Sequence, residues 1–242
     1  PFLLNSLRKI KTRHLRPLLV TSIIGTVIPA ILFALSQTYL DSAISGILNS
    51  LTPILTLITG IIWFQKKWTK SNLLGIMIGL LGSYILLSPS QANMQNIEYS
   101  ILIVLATLCY AISINTIKAR LHDLFPMDIA VVSSFFAFII PFFIISYNGL
   151  DTTCNKIYNN LSIFIYLVIL GLACTSLAII IFNYLIQKTS ALFGSSTTYL
   201  IPVFAILWGY LDNEIIYYHQ LLGLAIILIG VFIMNYQNAR IM

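Results

Sequence analysis

Acidic side chains are scarce in this chain: seven Asp and Glu among 242 residues, against 13 Lys and Arg, so that charged residues make up only 8% of the whole. Soluble domains carry about a quarter. A chain this poor in charge cannot cover a folded surface in water, which excludes a soluble globular fold. Cysteine is also rare. Cys109, Cys154 and Cys174 have no metal-ligand spacing and two of them fall in apolar segments, so no disulfide framework, metal or cofactor is expected. His14, His122 and His219 are widely separated, which argues against an enzyme needing a nucleophile and base or a metal cluster at one membrane face. No Lys, Arg, Asp or Glu lies near the middle of an apolar segment, where a charge costs about 2.5 kcal/mol or more. A proton relay through a buried carboxylate is therefore not expected. A cavity without fixed charge suits a neutral or zwitterionic small molecule.

What the chain has in abundance is apolar length. Hydrophobic residues make up 59%, and the mean hydropathy is +0.94. A helix needs about 20 apolar residues to cross a hydrocarbon core of about 30 Å. Eight such spans can be read, over 17–38, 43–64, 70–88, 99–118, 127–147, 162–186, 190–211 and 216–236. The expected fold is an all-α polytopic membrane protein in contact with the lipid bilayer. With the N-terminus placed in the cytoplasm, twelve of the thirteen basic residues fall on the cytoplasmic side and only Lys156 lies outside. That asymmetry accounts for the net charge of +6 without a nucleic-acid partner, and it puts both termini inside.

The chain also repeats itself. Ser42, Ala43, Gly46 and Pro53 lead to Leu73, Leu74, Gly75, Ile78, Gly82 and Ile85; Ser190, Ala191, Gly194 and Pro202 lead to Leu221, Leu222, Gly223, Ile226, Gly230 and Ile233. The offset is 148 residues throughout, except 149 for the prolines. Five spans separate equivalent positions, and an odd number inverts the repeat. Inverted repeats place a substrate site near the midplane, between halves that alternate its access.

Polar residues within the spans are the candidate site. Ser45, Asn49, Thr52, Thr56 and Thr59 recur every three or four residues, along one helix face. Pro53 is expected to kink that helix in its middle, with Pro202 as its counterpart. Asn49, Ser50 and Thr52 from one copy and Ser196, Thr197 and Tyr199 from the other are the candidate substrate contacts, with Tyr110, Asn115 and Asn183 as further candidates from other spans. Ser and Thr also glue membrane helices together by hydrogen bonds worth about 0.6–2 kcal/mol, and that reading stands beside the functional one. Pro29 and Pro141 are read as helix-shape residues. Gly75, Gly79 and Gly82 favour close helix packing, either within the repeat or in a homodimer. Trp63, Trp68, Tyr217 and Tyr218 lie near span ends as interfacial anchors.

The stretch "ALSQTYLDSAISGILNSLTPILTLITGIIWFQKKWTKSNLLGIMIGLLGSYILL" resembles the second half of an EamA domain of the drug/metabolite transporter superfamily, and "FNYLIQKTSALFGSSTTYLIPVFAILWGYLDNEIIYYHQLLGLAIILIGVFIMN" resembles the same part of a second one. The resemblance implies a permease for a small organic solute, with ten helices in two inverted five-helix repeats, cytoplasmic termini and a central cavity. Residues 1–89 would be the C-terminal part of the first EamA repeat and 97–238 the second. Two features depart from the pattern. Members often end the helix after the Pro with Gly-Glu; Glu214 fits, whereas Gln65 stands in the other copy. Ten helices would also place two spans before residue 17, yet the chain begins at Pro1, so a fragment is expected, and a truncated, non-transporting membrane protein is the alternative reading. Such families handle amino acids, nucleotide-like metabolites, sugars or drugs. The Ile- and Asn-rich composition is that of an AT-rich genome and points to a bacterial inner membrane.

Overall fold

In a bilayer the backbone must close its own hydrogen bonds, and every regular element among the described residues is a helix. The computed structural model describes residues 2–40, 42–87, 97–158, 161–201, 204 and 217–236. Helix α1 is Phe2–Lys9. Helix α2 runs from Thr12–Leu19 through a π-helical stretch, Val20–Val27, into Ile28–Gln37. Helices α3 (Ser42–Asn49), α4 (Thr52–Phe64), α5 (Lys70–Leu87), α6 (Ser100–Arg120) and α7 (Pro126–Tyr158) follow. Helix α8 is Leu161–Ile169, a second π-helical stretch Leu170–Leu177, and Ala178–Lys188. Helix α9, Ala191–Ser196, tightens into a 3₁₀ turn at Thr197–Leu200, and α10 is Tyr218–Tyr236.

Four of these stretches are long and apolar enough to cross a membrane, Thr12–Gln37, Ser100–Arg120, Pro126–Ile144 and Phe164–Lys188, and three shorter apolar helices stand at Thr52–Phe64, Lys70–Leu86 and Tyr218–Met234. The expected span 43–64 is two helices rather than one. Pro53 sits in the first turn of α4 instead of mid-helix, where its missing N–H costs nothing. The segment after 147, expected as a loop, continues α7 to Tyr158. At 1.5 Å per residue its 33 residues reach about 50 Å, well beyond a hydrocarbon core. Pro141 is carried inside it without a break. Pro202, Glu214 and most of the expected span 190–211 beyond residue 201 lie outside the described residues, as do the side chains of Cys154 and Lys156.

The chain forms two compact units, 1–27 with 116–190, and 28–115 with 191–242. Each draws on both sequence repeats. In the first unit, α1 is tied to the start of α7: Ser6 Oγ donates to Asp128 Oδ1 at 2.7 Å, and Lys9 Nζ bonds the same carboxylate at 3.0 and 3.3 Å. Asp128 is buried and sits in the first turn of α7, where the helix dipole favours a negative charge. His14, also buried, accepts the Lys11 N–H on Nδ1 at 3.2 Å. Its Nε2 lies 3.0 Å from Arg13 Nε and 3.0 Å from Asp123 Oδ2. Partial desolvation pushes the Asp123 carboxyl up, but the hydrogen bonds from His14, from its own backbone and from Arg13 outweigh it and hold the group below its ordinary range. Lys118 Nζ donates to the carbonyls of Gln187 and Thr189 at 2.7 Å each, at the C-terminal end of α8, where orphan carbonyls call for a cation. Gln187 Nε2 returns the tie, donating to Leu121 and Leu124 at 2.8 Å each.

The second unit is built on a glycine-lined crossing of α5 and α10. A Cβ added at Gly75 would lie 2.7 Å from the Gly230 carbonyl oxygen, and one at Gly82 would lie 2.9 Å from that of Gly223. Backbone meets backbone there. Exchanging each residue for its partner 148 positions away turns the first contact into the second, so the crossing carries the pseudo-twofold exchange of the repeats. The glycines are thus filled by packing between the two repeats of one chain, not within one repeat. Tyr199 wedges against Gly79, where an added Cβ would come within 2.7 Å of the ring, and packs with Leu86 and Ile227. Outside these contacts the surface is strongly apolar. Phe138, Phe143, Tyr166, Leu172 and Phe232 are exposed, as are Trp63, Trp68, Tyr217 and Tyr218 near helix ends, as lipid contact requires.

Candidate functional site

The polar stripe of α3 and α4 belongs to the second unit, and its geometry follows from Pro53. An α-helix running through residue 53 would place its N–H on the Asn49 carbonyl; proline has none. The Thr52 hydroxyl takes that carbonyl instead, at 2.7 Å, and the chain turns at Ser50–Leu51 before α4 begins. Thr56 and Thr59 donate in turn to Thr52 and Leu55 carbonyls at 2.8 and 2.7 Å. Ser45, Ser50, Thr52, Thr56 and Thr59 are buried and Asn49 is half-buried, so the expected face does look inward.

From sequence, Asn115 was a separate candidate on another span; in the fold it reads the same stripe. Its Nδ2 donates to the Thr56 carbonyl and to Thr59 Oγ1 at 2.9 Å each, and lies 3.2 Å from the Ala111 carbonyl. Gly60 makes the approach possible, since a Cβ there would stand 3.3 Å from Asn115 Oδ1. That oxygen and Ser45 Oγ, both buried, have no hydrogen-bond partner among the described residues. Buried polar atoms are nearly always paired. Their lone pairs are therefore left unused by the packing of the stripe.

The second repeat has its own interruption at the equivalent place. Four successive hydroxyls, from Ser195, Ser196, Thr197 and Thr198, donate to the carbonyls three residues back at 2.7–2.9 Å. Such back-bonding bends helices, and here α9 gives way to the 3₁₀ turn just before Pro202. Ser196 and Thr197 thus have their donors committed within the helix and offer acceptor lone pairs. Tyr199 is fully buried and donates to the Ile76 carbonyl at 3.0 Å. Its phenol is spent on the α5–α10 crossing.

The remaining candidates have other neighbours. Tyr110 is half-buried, its ring 6.1 Å from that of Phe33. Asn183 belongs to the first unit, buried, with Nδ2 3.5 Å from the Pro126 carbonyl, a contact at the outer limit of a hydrogen bond. Among the described residues no group of three or more His, Cys, Asp or Glu side chains is placed to hold a metal.

A second pair of irregularities went unforeseen. The π-helical stretches Val20–Val27 and Leu170–Leu177 are eight residues each and start 150 positions apart, so they occupy matching places in the two repeats. Hydroxyls follow the wider register: Thr26 donates to Thr21, Thr175 to Leu170 and Ser176 to Gly171, each five residues back, at 3.3, 2.8 and 2.7 Å. A π-helix is rare, and where it occurs it frequently marks a functional site. The only sequence signal was Ser/Thr/Gly clustering inside otherwise apolar runs.

Known proteins resemble this chain over nearly all its length. The model of the EamA-like transporter family matches residues 1–88 and 98–236. An uncharacterized transporter of Archaeoglobus fulgidus is 26% identical over 231 residues, which cover 93% of this chain and 79% of that protein. A crystal structure at 14% identity superposes with a TM-score of 0.68, covering 92% of this chain and 76% of that one, and shares the fold.

Proposed function

The chain belongs to the EamA-like transporter family, and from that premise we propose that this multi-pass membrane protein moves a small neutral or zwitterionic organic solute across the cytoplasmic membrane by alternating access. The observation that carries the proposal is the pair of helix interruptions, at Ser50–Leu51 and at Thr197–Leu200, in equivalent places of two inverted repeats. Interrupted helices in inverted repeats are where transporters build substrate sites. Beside the first interruption stand Asn49 and the unpaired oxygens of Ser45 and Asn115; beside the second stand Ser196 and Thr197. The absence of a charged residue from the middle of any apolar segment favours exchange or facilitated movement over coupling through a buried carboxylate.

The matched π-helical stretches support the conformational half of the reading. That of α2 ends at Val27, the residue at which the chain passes from one compact unit to the other. A departure from the α-helical register marks this stretch, and its mate in α8, as natural places for each helix to bend. The basic-residue asymmetry supports cytoplasmic termini, and the AT-rich composition supports a bacterial inner membrane.

The test is uptake by proteoliposomes from a panel of radiolabelled amino acids, sugars and nucleosides. At least one solute should enter faster than into protein-free liposomes, and the double variant Asn49→Leu with Thr197→Val should lose most of that rate while remaining folded. Undiminished uptake by the double variant would sink the site.

A further inference from the structure

The first unit holds a cavity that the transport reading does not use. It has a volume of about 260 Å³ and is lined by Arg13, Ala119, Arg120, His122 and Asp123. Arg120 is the last residue of one membrane-spanning helix and Arg13 the second residue of another. The cavity therefore lies where two spans leave the hydrocarbon on the same side, at headgroup depth. Its charges do not cancel. The Asp123 carboxylate is engaged by Arg13 and by His14, whereas the side chains of Arg120 and His122, both exposed, make no hydrogen bond or ion pair with another described residue.

We propose that this cavity binds a phosphodiester group. Arg13, Arg120 and His122 approach from the start of α2, the end of α6 and the following turn. Donors converging from three elements suit a tetrahedral anion better than a planar carboxylate, and a guanidinium matches phosphate oxygens two at a time. The neighbouring Asp123 carboxylate disfavours a doubly charged ligand, which selects the singly charged diester over a monoester. Two sources carry that chemistry at this depth: the headgroup of an anionic phospholipid, as basic pockets at helix ends bind, or a soluble phosphate compound.

The experiment follows the thermal unfolding midpoint of the full chain in an uncharged detergent against three probes: dioctanoyl-phosphatidylglycerol, dioctanoylglycerol, which has the acyl chains without the phosphate, and inorganic phosphate. Phosphatidylglycerol should raise the midpoint and dioctanoylglycerol should not. The variant Arg120→Gln with His122→Asn should bind about tenfold more weakly, the loss of one to two charge-assisted bonds. Arg120→Lys, which keeps the charge and removes the fork, should fall between. Lys67→Gln with Lys70→Gln, a basic pair at the entry to α5, should bind like the wild type. A shift with inorganic phosphate that the Arg120→Gln, His122→Asn variant loses would assign the site to free phosphate and overturn the choice of a diester. Equal shifts with dioctanoylglycerol, no shift with any probe, undiminished affinity in the Arg120→Gln, His122→Asn variant, or equal loss in the Lys67→Gln, Lys70→Gln control would each overturn the proposal.

Discussion

Gln65 holds a left-handed backbone, φ 50° and ψ 35°, at the end of α4, with its N–H closing onto the Gly60 carbonyl. Glycine adopts that conformation without penalty, and an L side chain there costs about 1 kcal/mol. Gln65→Gly should therefore stabilise the protein by up to about 1 kcal/mol, read as a higher unfolding midpoint in detergent; a lower midpoint would mean that the Gln side chain has a role its backbone hides. The sequence marked this residue as a departure from the family's Gly-Glu pattern but not its strained backbone, because φ is not written in residue type. Asn115 teaches the same lesson from the other side. Its burial inside an apolar span made it a candidate, yet its partners lie 56–59 residues away on α4, a pairing no local pattern encodes. The expected span 127–147 puts Asp128 at its very start, where hydropathy names no partner for it. The bonds to Ser6 and Lys9, more than 110 residues distant, come only with the fold.

The helices were legible where hydropathy is the only thing that decides them. Lengths of apolar runs placed α2, α5, α6, α8 and α10 within a few residues of where they stand, because burying a backbone in lipid leaves no other choice. They misjudged α3–α4 and α7, since a hydropathy window records composition and not which carbonyl each N–H finds. Pro53 splits one expected span; Pro141, in the middle of α7, splits nothing. The π-helical stretches escape for the same reason, being a change of hydrogen-bond register with no change in apolar character. Glycine gives the clearest contrast among elements. A Cβ at Gly82 would lie 2.7 Å from the Ile227 amide nitrogen, while one at Gly171 would meet nothing within 4 Å. Gly82→Leu should cost about 1–3 kcal/mol or more by forcing α5 and α10 apart, whereas Gly171→Leu should change stability by less than about 0.5 kcal/mol. Unfolding midpoints of the two variants check this; equal losses would mean that the crossing is not packed as described.

For the molecule as a whole, the repeat was the most informative thing in the sequence, and the glycine contacts at α5–α10 reproduce its exchange in three dimensions. What the repeat did not disclose is that each compact unit mixes helices from both copies, because sequence similarity reports ancestry and compactness reports packing. Orientation rests on charge and has its own check. In a cysteine-free background, Lys67→Cys should react with a membrane-impermeant thiol reagent only from the cytoplasmic side, and Thr38→Cys only from outside; the reverse labelling would invert the topology. The central claim is that this membrane protein is a carrier that exposes one site alternately to either face. Solute counterflow tests it most directly: proteoliposomes are preloaded with an unlabelled transported solute and diluted into a trace of the labelled one. A carrier should accumulate label transiently above its equilibrium level, faster than in empty vesicles. Label entry that merely rises to equilibrium, indifferent to the solute inside, would contradict alternating access and mark the protein as a pore.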